Sequence, residues 1–159
     1  MKKKDVLTGV FILAALAVLI FYWQQPSRDD EMVVPQTLSV KDRIEEVFSL
    51  KIPDDVEKIE LEDKTGQGMV GLAMRKYEDE KYTLTILADL VDPEGTEKYQ
   101  GWLKKEDEIR YVGSFILAKG GYILDYEVFE NLNDYRGVIV SLDEKAGDSP
   151  EKAVLEGSF

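Results

Sequence analysis

The sequence predicts an all-β fold, an antiparallel β-sandwich of about eight strands, preceded by a single N-terminal transmembrane helix and a short linker helix. Three observations predict it. An uncharged run from Val6 to Trp23 follows a lysine-rich start, and a short amphipathic stretch surrounds residue 44. From Val56 onward the hydrophobic period becomes two, broken at regular intervals by turn clusters.

The first element is the apolar run. Its roughly 18 residues would make a helix of about 27 Å, close to the ~30 Å hydrocarbon core of a bilayer. Lys2, Lys3 and Lys4 precede it, while Arg28, Asp29, Asp30 and Glu31 follow. The positive-inside rule therefore places residues 1–5 in the cytoplasm as a short tail and the remainder outside. Phe21, Tyr22 and Trp23 fall at the far interface. A cleaved signal peptide would have a shorter apolar core and small residues before the cut, whereas this run ends in bulky aromatics. The expected location is the cell membrane, single-pass, with an extracytoplasmic C-terminal domain.

Residues 24–55 read as a juxtamembrane linker with a short helix. Pro26, Pro35 and scattered charges mark its irregular part. Ser39 can cap a helix running to Ser49, with Val40, Ile44, Val47 and Phe48 on one face and Pro53 as the stop.

Residues 56–159 form the expected β domain. Strands are predicted at Glu57–Glu62, Met69–Tyr77, Lys81–Leu90, Tyr99–Lys104, Ile109–Leu117, Tyr122–Phe129, Gly137–Leu142 and Ala153–Gly157. Asp92-Pro93-Glu94-Gly95 suits a type I turn and Lys119-Gly120-Gly121 a tight hairpin. Alternation assigns Tyr82, Leu84, Ile86 and Ala88 to a buried face. The same rule selects Tyr111, Gly113, Phe115 and Leu117, then Tyr122, Leu124, Tyr126 and Val128, then Val138, Val140 and Leu142.

Composition narrows the chemistry. The net charge is −12, and the first 23 residues hold three Lys against one Asp, which leaves −14 for the rest. That surface repels nucleic acid, so no nucleic-acid partner is expected. Cys and His are both absent, removing disulfides, thiol nucleophiles, imidazole catalysis and the usual zinc ligands.

Candidate sites are few. The acidic pairs Asp54-Asp55, Glu78-Asp79-Glu80, Glu106-Asp107-Glu108 and Asp143-Glu144 fall at loops and strand ends, where solvation explains them. The loop from Asp143 to Asp148 lacks the ligand spacing of a calcium loop. Ser114 and Ser141 lie inside strands, without the sharp turn that exposes a nucleophile. No catalytic residue, metal ligand or cofactor is expected. Trp102, with Tyr99 and Gln100, is the candidate contact for a ligand or partner, against the alternative that an aromatic in a strand belongs to the core.

Several segments in order resemble one family. They are Gly71-Leu72-Ala73-Met74-Arg75, Leu84 to Leu90 with Asp92-Pro93, Tyr99-Gln100-Gly101-Trp102-Leu103, Val112-Gly113, Gly120-Gly121-Tyr122, Val138 to Asp143, and Pro150-Glu151 through Leu155-Glu156-Gly157. Together they resemble the C-terminal extracytoplasmic domain of anti-sigma-K factors. The resemblance implies a β-sandwich with no catalytic residues, tethered by one membrane helix and serving in regulation or sensing. It makes Tyr99, Gln100, Trp102, Leu103 and Gly157 fold determinants. In that family a cytoplasmic helical domain holds the sigma factor, and here five residues precede the apolar run. The sequence reading is therefore that no sigma factor is bound directly, and that the exported module acts through an unidentified envelope or membrane protein. A structural envelope protein and an acidic-residue envelope hydrolase are the alternatives.

Overall fold

The structure is a computed structural model that describes residues 38–145 and 149–159. The expected cytoplasmic tail, membrane helix and linker up to residue 37 lie outside the described residues. Among those described, no helix is long and apolar enough to cross a membrane.

Helix α1 (Val40–Phe48) is followed by nine strands. They are β1 (Glu57–Asp63), β2 (Val70–Glu78), β3 (Lys81–Asp89), β4 (Lys98–Lys105), β5 (Glu108–Ser114), β6 (Ile116–Ala118), β7 (Gly121–Val128), β8 (Gly137–Asp143) and β9 (Ala153–Ser158). All pair antiparallel in one sheet of order β5-β4-β8-β9-β1-β2-β3-β7-β6.

The two ends of that order are neighbours in the chain, separated only by Phe115. The sheet must therefore curl until its first and last strands meet, giving a nearly closed barrel. β5 pairs with β4, and β6 pairs with β7. The predicted strand Ile109–Leu117 is thus one bent strand in two arms, which raises the number from about eight to nine. Phe115 is its corner, donating its backbone N–H to the Tyr99 carbonyl at 2.9 Å. The expected pair of sheets is one sheet because β1 serves both halves: Glu57 to Leu61 pair with β2, while Glu62 and Asp63 pair with β9.

Alternate residues fill the interior. Tyr82, Leu84, Ile86 and Ala88 of β3 join Tyr122 and Leu124 of β7 and Val138 and Val140 of β8 in one core cluster. At the expected β5 face the pattern inverts, since Tyr111 and Leu117 are exposed while Val112 is buried. The cause is a bulge. Gly101 pairs with Gly113 and Trp102 with Tyr111, so Val112 is the extra residue and the faces exchange around it.

Helix α1 lies on the outside of the barrel over β2 and β3. Its Ile44 and Phe48 pack with Ile52, Leu72 and Leu87 in a second cluster, each such burial worth about 2 kcal/mol. Ser39 caps it as expected, its Oγ accepting the Asp42 N–H at 3.1 Å. The stop is Ser49, which adopts the left-handed conformation at φ 50°, four residues before Pro53. Arg43 fixes the helix to the barrel by donating from Nε and Nη2 to Asp89 Oδ2, at 2.9 and 2.7 Å. The Phe48 ring occupies the space a side chain at Gly121 would need, 2.5 Å from such a Cβ.

Candidate functional site

The residues singled out in the sequence occupy β4. Tyr99, Gln100 and Trp102 are 3%, 2% and 1% exposed, so none is a surface platform. Tyr99 points into the barrel near one mouth, edge-to-face with Tyr122 at 5.1 Å between centroids. Its hydroxyl donates to the Val91 carbonyl at 2.7 Å, and that of Tyr122 to Asp92 at 2.8 Å. Desolvation, reinforced by the Asp92 carboxylate, raises the Tyr122 phenol to about 12.

Trp102 belongs to the opposite face of β4 and heads a polar chain. Its Nε1–H donates to Ser141 Oγ at 2.7 Å, and the Ser141 hydroxyl donates in turn to Asp143 Oδ2. Asp143 Oδ1 accepts the backbone N–H groups of Glu151 and Lys152 at 3.0 and 3.2 Å, fixing the residues that lead into β9. Every member of the chain is therefore satisfied, as a buried carboxylate requires. The Tyr111 ring meets the indole at a tilt of 60°, with 5.1 Å between centroids. Gln100 pairs across the ladder with Ser141, and its buried Oε1 meets no donor among the described residues.

Of the two serines considered, Ser141 is bonded to the Asp143 carboxylate and the Trp102 indole, and Ser114 is exposed beside the Tyr111 hydroxyl at 2.9 Å. The acidic clusters separate similarly. Asp79 and Glu80 form the β2–β3 turn at positive φ, Glu106 begins the β4–β5 turn, and Asp54 and Asp55 are exposed. Among the described residues no group of three or more acidic side chains is placed to hold a metal ion.

Three features of the surface were not visible in the sequence. Arg75 is a buried cation at one rim. Phe129 is exposed beside a cavity of about 400 Å³ lined by Lys76, Glu78, Asp79, Lys81 and Thr83. A second cavity, of about 490 Å³, lies between the β4–β5 turn and the loop before β8, with Lys104, Lys105, Glu106, Asp134, Arg136, Gly137 and Ser158 around it. At Gly101 the interior is filled: a Cβ there would lie 2.5 Å from Leu124 Cδ1 of β7 and 3.6 Å from Ile86 Cδ1 of β3, so side chains of those strands already pack against the backbone of β4.

The chain matches no protein-family model, no curated protein and no solved structure. The likeness to the anti-sigma-K exported domain stands on the sequence segments alone.

Proposed function

We propose that the barrel is an extracytoplasmic sensing or binding module, held at the membrane by a helix over residues 6–23 and acting through a partner protein. The observation that carries this reading is the interior itself: one continuous apolar cluster fills it, and a side chain at Gly101 would meet Leu124 and Ile86 at 2.5 and 3.6 Å. A barrel whose interior is occupied by its own side chains recognises molecules on its outer surface and loops, which is how a protein partner is engaged. The uncharged run at residues 6–23 supports the membrane setting, and the segments similar to the anti-sigma-K exported domain support regulation. A signal would leave through the anchor or through the linker at residues 24–38.

The absence of cysteine makes the test clean, because one introduced thiol is the only one present. Thr96 is exposed in the β3–β4 loop. A T96C variant in intact cells reacts with a membrane-impermeant maleimide if the domain is exported, and stays unlabelled until lysis if it is not. Photo-crosslinking from the same thiol in native membranes then yields a discrete heteromeric adduct. Recovery of free monomer alone would overturn the partner reading.

A further inference from the structure

We propose that the 490 Å³ cleft beside Gly137 is a binding site for a phosphate group. Three strands build its floor in register. Lys104 of β4 pairs with Gly137 of β8, and Gly137 pairs with Ser158 of β9. The middle position of that row has no side chain, so a depression is left between the Lys104 stem and the Ser158 hydroxyl. A Cβ at Gly137 would stand 2.9 Å from Lys104 Cβ and fill part of it. The β4–β5 turn supplies Lys105 and Glu106 as one wall, and Asp134 and Arg136 form the other. The volume lies in the range of roughly 300–1,000 Å³ common to small-molecule sites.

The charges decide the ligand class. In a chain of net charge −12, this cleft gathers three cations against two carboxylates. Lys105 is engaged by Asp134 at 3.2 Å. Ion pairs within 4.0 Å among the described residues occupy most other cations of the barrel, including Lys58, Lys64, Arg75, Lys76, Lys81, Arg110 and Lys152, but neither Lys104 nor Arg136. Arg136 acts on Glu57 only at longer range, and Glu57 is already held by Arg75. Two unengaged positive charges beside a hydroxyl donor match a phosphate dianion, whose oxygens accept the guanidinium fork, the ammonium and the Ser158 O–H together. A monocarboxylate would answer only one of the two charges. The phosphate can belong to a soluble monoester or to a lipid headgroup, since the chemistry at the cleft is the same.

This proposal goes beyond the sensing reading and does not depend on the membrane anchor. Its test follows backbone amide shifts of Gly137 and Ser158 in the full chain, in neutral detergent at fixed ionic strength. Inorganic phosphate and glycerol 3-phosphate form one arm and dihexanoyl phosphatidic acid the other, with acetate as comparator. Saturable shifts with either phosphate arm, at least tenfold tighter than acetate, are expected, and the responding arm identifies the source. The K104Q/R136Q variant is expected to weaken binding at least tenfold, while K51Q, a charge change elsewhere, leaves it unaltered. Should the double variant lose native dispersion, K104Q and R136Q singly decide the matter. No shift in either arm, equal binding of acetate, or indifference to these substitutions would overturn the proposal.

Discussion

Arg75 and Glu57 meet in a two-point pair, Nε to Oε2 at 2.9 Å and Nη2 to Oε1 at 3.1 Å, that joins β2 to β1. The remaining nitrogen, Nη1, donates to the carbonyls of Asn133 and Tyr135 at 3.2 and 3.1 Å, and the Phe159 ring stacks under the guanidinium at 4.0 Å. One buried cation thus ties two strands, the loop before β8 and the residue after β9 at a single rim. Lysine has a point charge and cannot reproduce the fork. Chemical denaturation should show R75A destabilised by about 3 kcal/mol and R75K by about 1–2 kcal/mol, because both disturb the fork that satisfies Glu57 and the buried Tyr135 carbonyl together. E57Q should cost less than R75A, since the Glu57 side chain is half exposed. Equal stability of R75K and the parent would show that charge, not geometry, is what this rim uses.

The close approach of Gly101 to Leu124 sets a second expectation. Alanine at 101 forces the wall of β4 against the Leu124 methyl group, and overpacking of this kind costs about 1–3 kcal/mol. Leu124→Ala removes the methyl groups and leaves a cavity, costing about 2–5 kcal/mol. The two changes are complementary in volume, so the double variant should be more stable than the sum of the singles by about 1 kcal/mol or more. Strict additivity in a denaturation cycle would mean that the walls do not touch in solution.

The strands were legible because their information is local. Alternating apolar residues between Gly, Pro and Asp clusters locate all nine strands if Ile109–Leu117 is read as a bent one, and the face assignments on β3, β7 and β8 agree with the core. What escaped depends on pairing. The bulge at Val112 is created by the partner strand β4, and nothing in residues 108–117 alone marks the exchange of faces. Barrel closure likewise needs β5 and β6 to choose different neighbours. The polar chain on Trp102 was hidden because the sequence does not reveal Ser141 and Asp143, some 40 residues away, as its partners. The phosphate cleft was hidden for the same reason: Lys104, Gly137 and Ser158 form a row only after three strands align.

Asp63 should make stability depend on acid pH. Its Oδ1 accepts the Thr65 N–H at 2.8 Å, the Thr65 hydroxyl at 2.7 Å and the Gly66 N–H at 3.2 Å, and its Oδ2 accepts those of Gly68 and Met69 at 2.8 and 3.2 Å. Burial pushes the carboxyl up, but the Thr65 hydroxyl and these N–H groups outweigh it and hold it at about 2, against 3.8 when unperturbed. A depressed carboxyl stabilises the fold above its unfolded value and loses that contribution as pH falls through the folded one. Its contribution, about 1 kcal/mol once solvent screening at this exposed loop is allowed for, is therefore present above pH 3.8 and lost between there and pH 2. D63N should melt lower than the parent at pH 7, and the difference should shrink across that window. A pH-independent difference would assign the loss to loop geometry alone.

The Trp102–Ser141–Asp143 chain should behave as one unit, because Ser141 is donor to the carboxylate and acceptor of the indole N–H at once. S141A removes both roles and leaves two buried groups short of a partner, so a loss of about 2–3 kcal/mol is expected. W102F removes the indole N–H and leaves the Ser141–Asp143 bond in place, with a smaller polar cost added to the loss of ring volume. D143N retains an acceptor oxygen but gives up the charge that the Glu151 and Lys152 N–H groups hold, and should loosen the β8–β9 loop before it unfolds the barrel. Amide exchange at Glu151 and Lys152 reads this directly: faster exchange in D143N at unchanged global stability is the expected result. Unaltered exchange would mean that the loop is held by something other than Asp143.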